Sequence, residues 1–169
     1  MDMQTKTPSP AVLGISIGTR KIGLAVMQKG QLLESKVAAF KGPWSDEKLA
    51  SIMQCIQKCK EHFTASAIAM KIPNIAHHTD GLQTLITAIQ HYCSTQKLKV
   101  QVYTITELKE ALLSDRRKTK RALVAFIGEK YTELYKEYRK EYSNRNKHYT
   151  KMFEAIAAAE LFSREHLYF

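Results

Sequence analysis

The side chains best suited to chemistry in this sequence are cations, and they are clustered. Residues 109–151 hold thirteen Lys and Arg against six Asp and Glu. That stretch supplies +7 of a formal net charge of +10, in about a quarter of the 169 residues. Glu133, Glu137 and Glu141 recur every four residues and read as the acids of a solvated helix face. The loop Arg116-Arg117-Lys118, with Lys120 and Arg121, does not fit that reading, because only Asp115 offsets it. Five clustered cations could neutralise several phosphates of one duplex, so the loop is a candidate nucleic-acid contact. A small domain this basic is first a binder of polyanions, either nucleic acid or an anionic membrane face.

Other groups are weaker candidates. His77, His78 and Asp80 form a small cluster that could ligate a divalent metal. A His pair in a polar loop reads first as solvated. Cys55 and Cys59 lie four apart and could share an ion, but two buried thiols are the plainer reading. Tyr131, Tyr135, Tyr138 and Tyr142 recur every three or four residues. They could stack on bases, although helical spacing points to a core or interface stripe. An odd count of three cysteines gives no disulfide framework, and the first ten residues have no apolar signal-like core, so a reduced, cytoplasmic protein is expected. No apolar run approaches the roughly 20 residues of a membrane span, so no membrane role is expected.

These residues must be positioned by elements legible in the pattern. Residues 1–10 read as a frayed lead-in and 11–169 as a single domain. AVLGISIG (11–18), KIGLAVMQ (21–28) and QLLESKVAAF (31–40) are three strand signals joined by very short connections, which predicts an antiparallel meander. Ser45 caps a helix over 46–62, and Trp44 before it reads as a hydrophobic staple. SAIAMKI (66–72) reads as a buried parallel strand and Thr79 caps a second helix. KVQVYTI (99–105) is a further strand, and Thr106 is expected to cap a short helix reaching about Leu113. One long helix is expected over 119–142, then a loop over 143–149. Thr150 is expected to cap a last, alanine-rich helix reaching about residue 165.

Three segments carry a resemblance. GISIGTRKIGLAV (14–26), VQVYTITELKEALLSDRRKTKRALVAFI (100–127) and FEAIAAAE (153–160) resemble, in that order, segments of the RuvC-type Holliday-junction resolvases of the ribonuclease H-like superfamily. The resemblance implies an α/β fold with a five-stranded mixed sheet, three strands antiparallel and two parallel, flanked by helices. It places Lys109 and Lys120 among the nucleic-acid contacts with Arg116, Arg117, Lys118 and Arg121. In that family four carboxylates hold two Mg²⁺ or Mn²⁺ ions that cleave a phosphodiester. The matching positions here are Ser16, Lys71 (or Met70, if the register slips by one), Lys151 and Glu154. Only Glu154 is acidic, so the resemblance supports the fold and contradicts the activity. No cofactor is then expected, and Mg²⁺ or Mn²⁺ only if the chain is an active nuclease with an atypical site. Lys71 interrupts an apolar strand, and it or Lys151 is expected beside Glu154 in place of metal charge. Glu160, six positions on, points to another helix face and reads as a surface acid. GISIGT also resembles the phosphate loop of sugar kinases and actin-like ATPases, which need a second such domain. The expected partner is duplex or branched nucleic acid, DNA rather than RNA, in recombination or repair. The family's two-fold dimers make a homodimer a further expectation. The alternative from another class is a structural or regulatory module whose basic face meets an acidic protein.

Overall fold

A computed structural model describes residues 10–114, 117–143 and 147–167. The expected lead-in therefore lies outside the described residues, except for the exposed Pro10. Five strands form one sheet: β1 (Ala11–Ser16), β2 (Lys21–Gln28), β3 (Gln31–Ala39), β4 (Ala65–Lys71) and β5 (Lys99–Tyr103). Their order is β3-β2-β1-β4-β5. The first three strands pair antiparallel, as their short connections require, and β4 and β5 add in parallel. Six helices flank the sheet: α1 (Asp46–Phe63), α2 (Asp80–Thr95), α3 (Ile105–Leu112), α4 (Lys120–Lys130), α5 (Tyr135–Ser143) and α6 (Thr150–His166). Among them, none is long and apolar enough to cross a membrane.

The period-2 alternation of the central strands sorts two cores. Leu13, Ile15, Ile68 and Met70 face α1 and α2, where they meet Ile52, Ile56, Leu85 and Ile89. Val12, Ala67 and Ala69 face the other way, toward α3, α4 and α6. Ser16 and Lys71 follow in that second alternation, and the parallel register sets them side by side. Met70 belongs to the opposite face, so the alternative register is closed.

α6 lies buried between the sheet and the layer of α3 and α4. Every residue from Met152 to Ser163 is buried, the pattern of a helix with no solvent side. Small residues let it approach closely. A Cβ at Gly23 would stand 1.9 Å from the Lys151 carbonyl oxygen, and one at Gly14 would stand 2.1 Å from that of Ala155. These glycines fix the height of α6 above the sheet, and with it the reach of its side chains.

Several local expectations are corrected. Thr104, not Thr106, caps α3: its hydroxyl accepts from the Glu107 backbone N–H at 3.2 Å while the Glu107 carboxylate accepts from the Thr104 N–H. This reciprocal box ends β5 two residues early. The expected helix over 119–142 is two helices. The chain leaves helical geometry at Tyr131 (φ −111°, ψ 90°), whose side chain is buried and donates its hydroxyl to Glu160. Burying that ring and seating its hydroxyl on a carboxylate outweighs helical continuity. Thr150 does not cap α6 but lies within it, with Tyr149 in the cap position. The start of α6 is instead satisfied from outside by Glu141. Its carboxylate accepts from the Tyr149 backbone N–H and, at 2.7 Å, from the Thr150 hydroxyl. Glu141 is thus 2% exposed rather than on a solvated face. Glu160 is likewise 1% exposed. A different face of α6 is simply a different buried face.

Candidate functional site

The strand ends Ser16 and Lys71 and the first turns of α6 converge on one point. Gly14 and Gly23 hold α6 close, and residues 151 and 154 are three apart, on one side of the helix. Glu154 descends onto the sheet, buried at 3% exposure. Its Oε1 accepts from the Ser16 hydroxyl at 3.1 Å, and its Oε2 lies 2.9 Å from Lys71 Nζ. That second contact is an ion pair by distance, but Oε2 has no aligned hydrogen-bond donor. Lys71 is itself 5% exposed, so both charges are desolvated and each is the other's compensation.

Lys151 does not swing into solvent. Its ammonium donates to the Ile17 carbonyl at 2.8 Å. Gly18 leaves the room for it, since a Cβ there would stand 2.7 Å from Lys151 Cε. Burial pulls its pKa down, the Glu154 charge pulls it up, and the neighbouring Lys71 and Lys120 charges pull it down again, to about 8.

Above this point opens a cleft of about 860 Å³. Its walls carry six cations, Lys21, Lys71, Lys120, Arg121, Lys147 and Lys151, against two acids, Glu141 and Glu154. Arg121 lies over the exposed ring of Tyr142, 3.9 Å from its centroid. Lys21 Nζ stands 3.2 Å from His148 Nδ1, and Lys147 donates to the Glu141 backbone carbonyl at 2.6 Å.

The structure therefore brings together Ser16, Lys71, Lys151, Glu154, Lys120 and Arg121. It leaves Lys109, Arg117 and Lys118 outside the cleft wall. Lys118 pairs with Glu110, and Arg117 is exposed. Arg116 lies outside the described residues. The sequence reading missed Lys21, which opens β2 after a short turn and carries no motif. It counted Lys147 only as part of a charge run. The other weaker candidates part ways. His78 Nε2 sits 2.8 Å from the Pro73 carbonyl and its Nδ1 meets the Gln83 amide. Cys59 is buried and its thiol is pushed up to about 11, chiefly by that burial, while Cys55 is half-buried.

Two dications about 4 Å apart need several carboxylate oxygens between them. Here one carboxylate faces two ammonium groups and a hydroxyl. This donor set does not fit Mg²⁺ or Mn²⁺. Among the described residues no group of three or more His, Cys, Asp and Glu is placed to hold a metal ion. What the arrangement offers is ammonium groups where those carboxylates would be needed, at the floor of an open cleft with an excess of cations.

No protein-family model matches the chain, and no curated protein matches it. Solved structures do. The five-stranded order and its flanking helices define a ribonuclease H-like fold. More particularly it is the fold of RuvC. RuvC of T. thermophilus in complex with a Holliday junction substrate superposes with a TM-score of 0.69 at 17% identity, covering 92% of this chain and 96% of that one. A second Thermus thermophilus RuvC structure gives 0.65 at 18% identity, over 92% and 95%.

Proposed function

We propose that this chain is a catalytically degenerate RuvC-like protein that binds duplex or branched nucleic acid, DNA in particular, in recombination or repair. The observation that carries this reading is the Lys71–Glu154 pair, 2.9 Å apart and buried at the strand ends. By the resemblance, those ends are where active relatives gather carboxylates. An ammonium there repels the dications that phosphodiester cleavage needs. The fold and the surrounding charge remain suited to a polyanion. The RuvC solved with a Holliday junction shares the fold over nearly the whole chain, and the cleft holds three cations for each acid. Lys109, Arg117 and Lys118 lie outside the cleft wall and extend the positive charge beyond it.

The test is a gel-shift and cleavage assay on four-way junctions and matched duplexes, with and without Mg²⁺ or Mn²⁺. Binding that weakens steeply with salt, with no product strand, is expected. Efficient cleavage lost in Glu154→Gln would overturn the degenerate reading in favour of an atypical nuclease. No affinity at low salt would overturn nucleic-acid binding and favour an acidic protein partner.

A further inference from the structure

We infer that the cleft is a metal-independent phosphate site, in which Lys120 and Lys151, backed by the Lys71–Glu154 pair, grip a phosphate group of a nucleic-acid strand. The inference rests on the nucleic-acid reading above and deepens it by naming the contact. It begins with where the two acids of the cleft are already engaged. Glu141 accepts from the Tyr149 backbone N–H and the Thr150 hydroxyl. Glu154 takes the Ser16 hydroxyl and the Lys71 ammonium. Among the described residues, no carboxylate lies within ion-pair distance of Lys21, Lys120, Arg121, Lys147 or Lys151. The cleft therefore presents surplus positive charge, six cations against two acids that are already engaged.

Lys151 carries the argument furthest. A surface lysine relieves like-charge repulsion by swinging away. This one is held inward by the Ile17 carbonyl, along a path that only a glycine at position 18 leaves open. It stays within electrostatic reach of both Lys71 and Lys120. Holding the half-buried Lys151 beside two like charges is unfavourable unless further negative charge joins them. One hydrogen bond to Ile17 leaves two ammonium donors on Lys151 for a ligand. Lysine is a compact point charge and suits the oxygens of a tetrahedral phosphate. At about 860 Å³ the cleft is far larger than one such ion and lies in the upper range of ligand pockets. The phosphate is thus part of something longer, and a strand running past Arg121 and Tyr142 fits that space. In the active relatives implied by the resemblance, dications mediate this contact. Here two ammonium groups make it directly.

The experiment measures affinity by fluorescence anisotropy, using short single strands and junctions bearing either a 5′-hydroxyl or a 5′-phosphate. It is run in EDTA and again in Mg²⁺ at matched ionic strength. Three proteins are compared: the wild type, Lys120→Gln/Lys151→Gln and Arg117→Gln/Lys118→Gln, each checked for folding by circular dichroism. Wild-type affinity should be the same in EDTA and Mg²⁺. The cleft variant should lose about tenfold or more, as expected for removing phosphate contacts, and inorganic phosphate should compete with the wild type but not with that variant. Equal affinity for both strand ends assigns the contact to the internal backbone, and a preference for the 5′-phosphate assigns it to a strand end. Binding that requires Mg²⁺ overturns the inference. So does a cleft variant that binds like the wild type while the loop variant fails; that result leaves the nucleic-acid reading standing. Failure of the wild type to bind any strand at low salt overturns both.

Discussion

Glu154 and Glu160 are two buried carboxylates on one helix, six residues apart, and they are treated differently by their surroundings. Glu160 is enclosed by donors: the Lys130 ammonium, the Tyr131 hydroxyl and Arg164 Nε at 3.0 Å. Burial alone would raise its pKa, but those bonds and the Lys130 charge outweigh it, so the carboxyl lies below its ordinary value. Glu154 has one hydroxyl and one ammonium that is not aligned as a hydrogen bond, and it borders an open cleft. The first arrangement is complete, a structural node tying α6 to the end of α4. The second is incomplete in its hydrogen bonds and crowded with cations. Glu154 is therefore left short of a donor at the floor of the cleft, and that is the position the proposed function draws on.

The sharpest way to break that comparison is to remove Lys71. Lys71→Met strands the Glu154 charge in the core and should cost about 3–5 kcal/mol in urea unfolding. Replacing both partners, Lys71→Met with Glu154→Leu, should recover most of that loss, because a buried ion pair is mainly the mutual cancellation of two penalties. If the double variant is no more stable than the single one, Glu154 has support beyond Lys71. Glu160→Gln should cost less, about 2 kcal/mol, since the amide keeps the shape and some of the bonding. A larger loss than that of Lys71→Met would reverse the ranking of the two nodes.

The two regions should also answer pH in separate windows. Glu160 is lowered in the folded state from 4.5. Its contribution is therefore fully present above the unfolded carboxylate value and is lost as pH falls through the lower folded one. Lys151 is lowered from 10.5 to about 8. Between those values the unfolded chain holds a proton that the folded chain has released, so the Lys151 contribution to stability should rise with pH across that range, against the opposite contribution of the buried Cys59 and Cys93 thiols. Burial sets most of this lowering; Glu154 on α6 opposes it, and Lys71 on β4 and Lys120 on α4 add to it. Relative to the wild type, Lys151→Met should make the slope of stability against pH less positive between those values and leave the acid limb alone, as read from urea midpoints at a series of pH values. The smallest effect belongs to the exposed loop: Arg117→Ala should reduce the slope of log affinity against log salt by about 1.

Much of this architecture is legible in the sequence, for identifiable reasons. Short connections between three apolar runs dictate antiparallel neighbours, and Pro73 and the Thr79 cap bracket the passage from β4 to α2. Lys71 is conspicuous because it is the one charged residue of a strand otherwise built of Ala, Ser, Ile and Met, and the ion pair explains its presence. The misplaced α3 cap is local, a reciprocal box of Thr104 and Glu107; the other errors come from side chains that act across the fold rather than along the chain. Tyr131 breaks a helix by reaching Glu160, and Glu141 caps a helix it does not belong to. Glu160 was misplaced because helical phase tells only which faces differ. It does not reveal that both faces are covered. Lys21 reaches the cleft from the start of β2, which only the sheet order makes adjacent to α6.

The same two carboxylates also act as keys on a shaft. An α-helix turns about 100° per residue, so Glu154 and Glu160 project in directions roughly a third of a turn apart. One engages the ends of the central strands through Ser16 and Lys71, and the other engages the end of α4 through Lys130 and Tyr131. With both seated, α6 can neither roll about its axis nor slide along it without disengaging one. The placement of Lys151 in the cleft is therefore indexed by a residue more than two turns away. A single-residue insertion in α6 between the two keys would leave one seated and misdirect the other, and the cleft wall would turn with it.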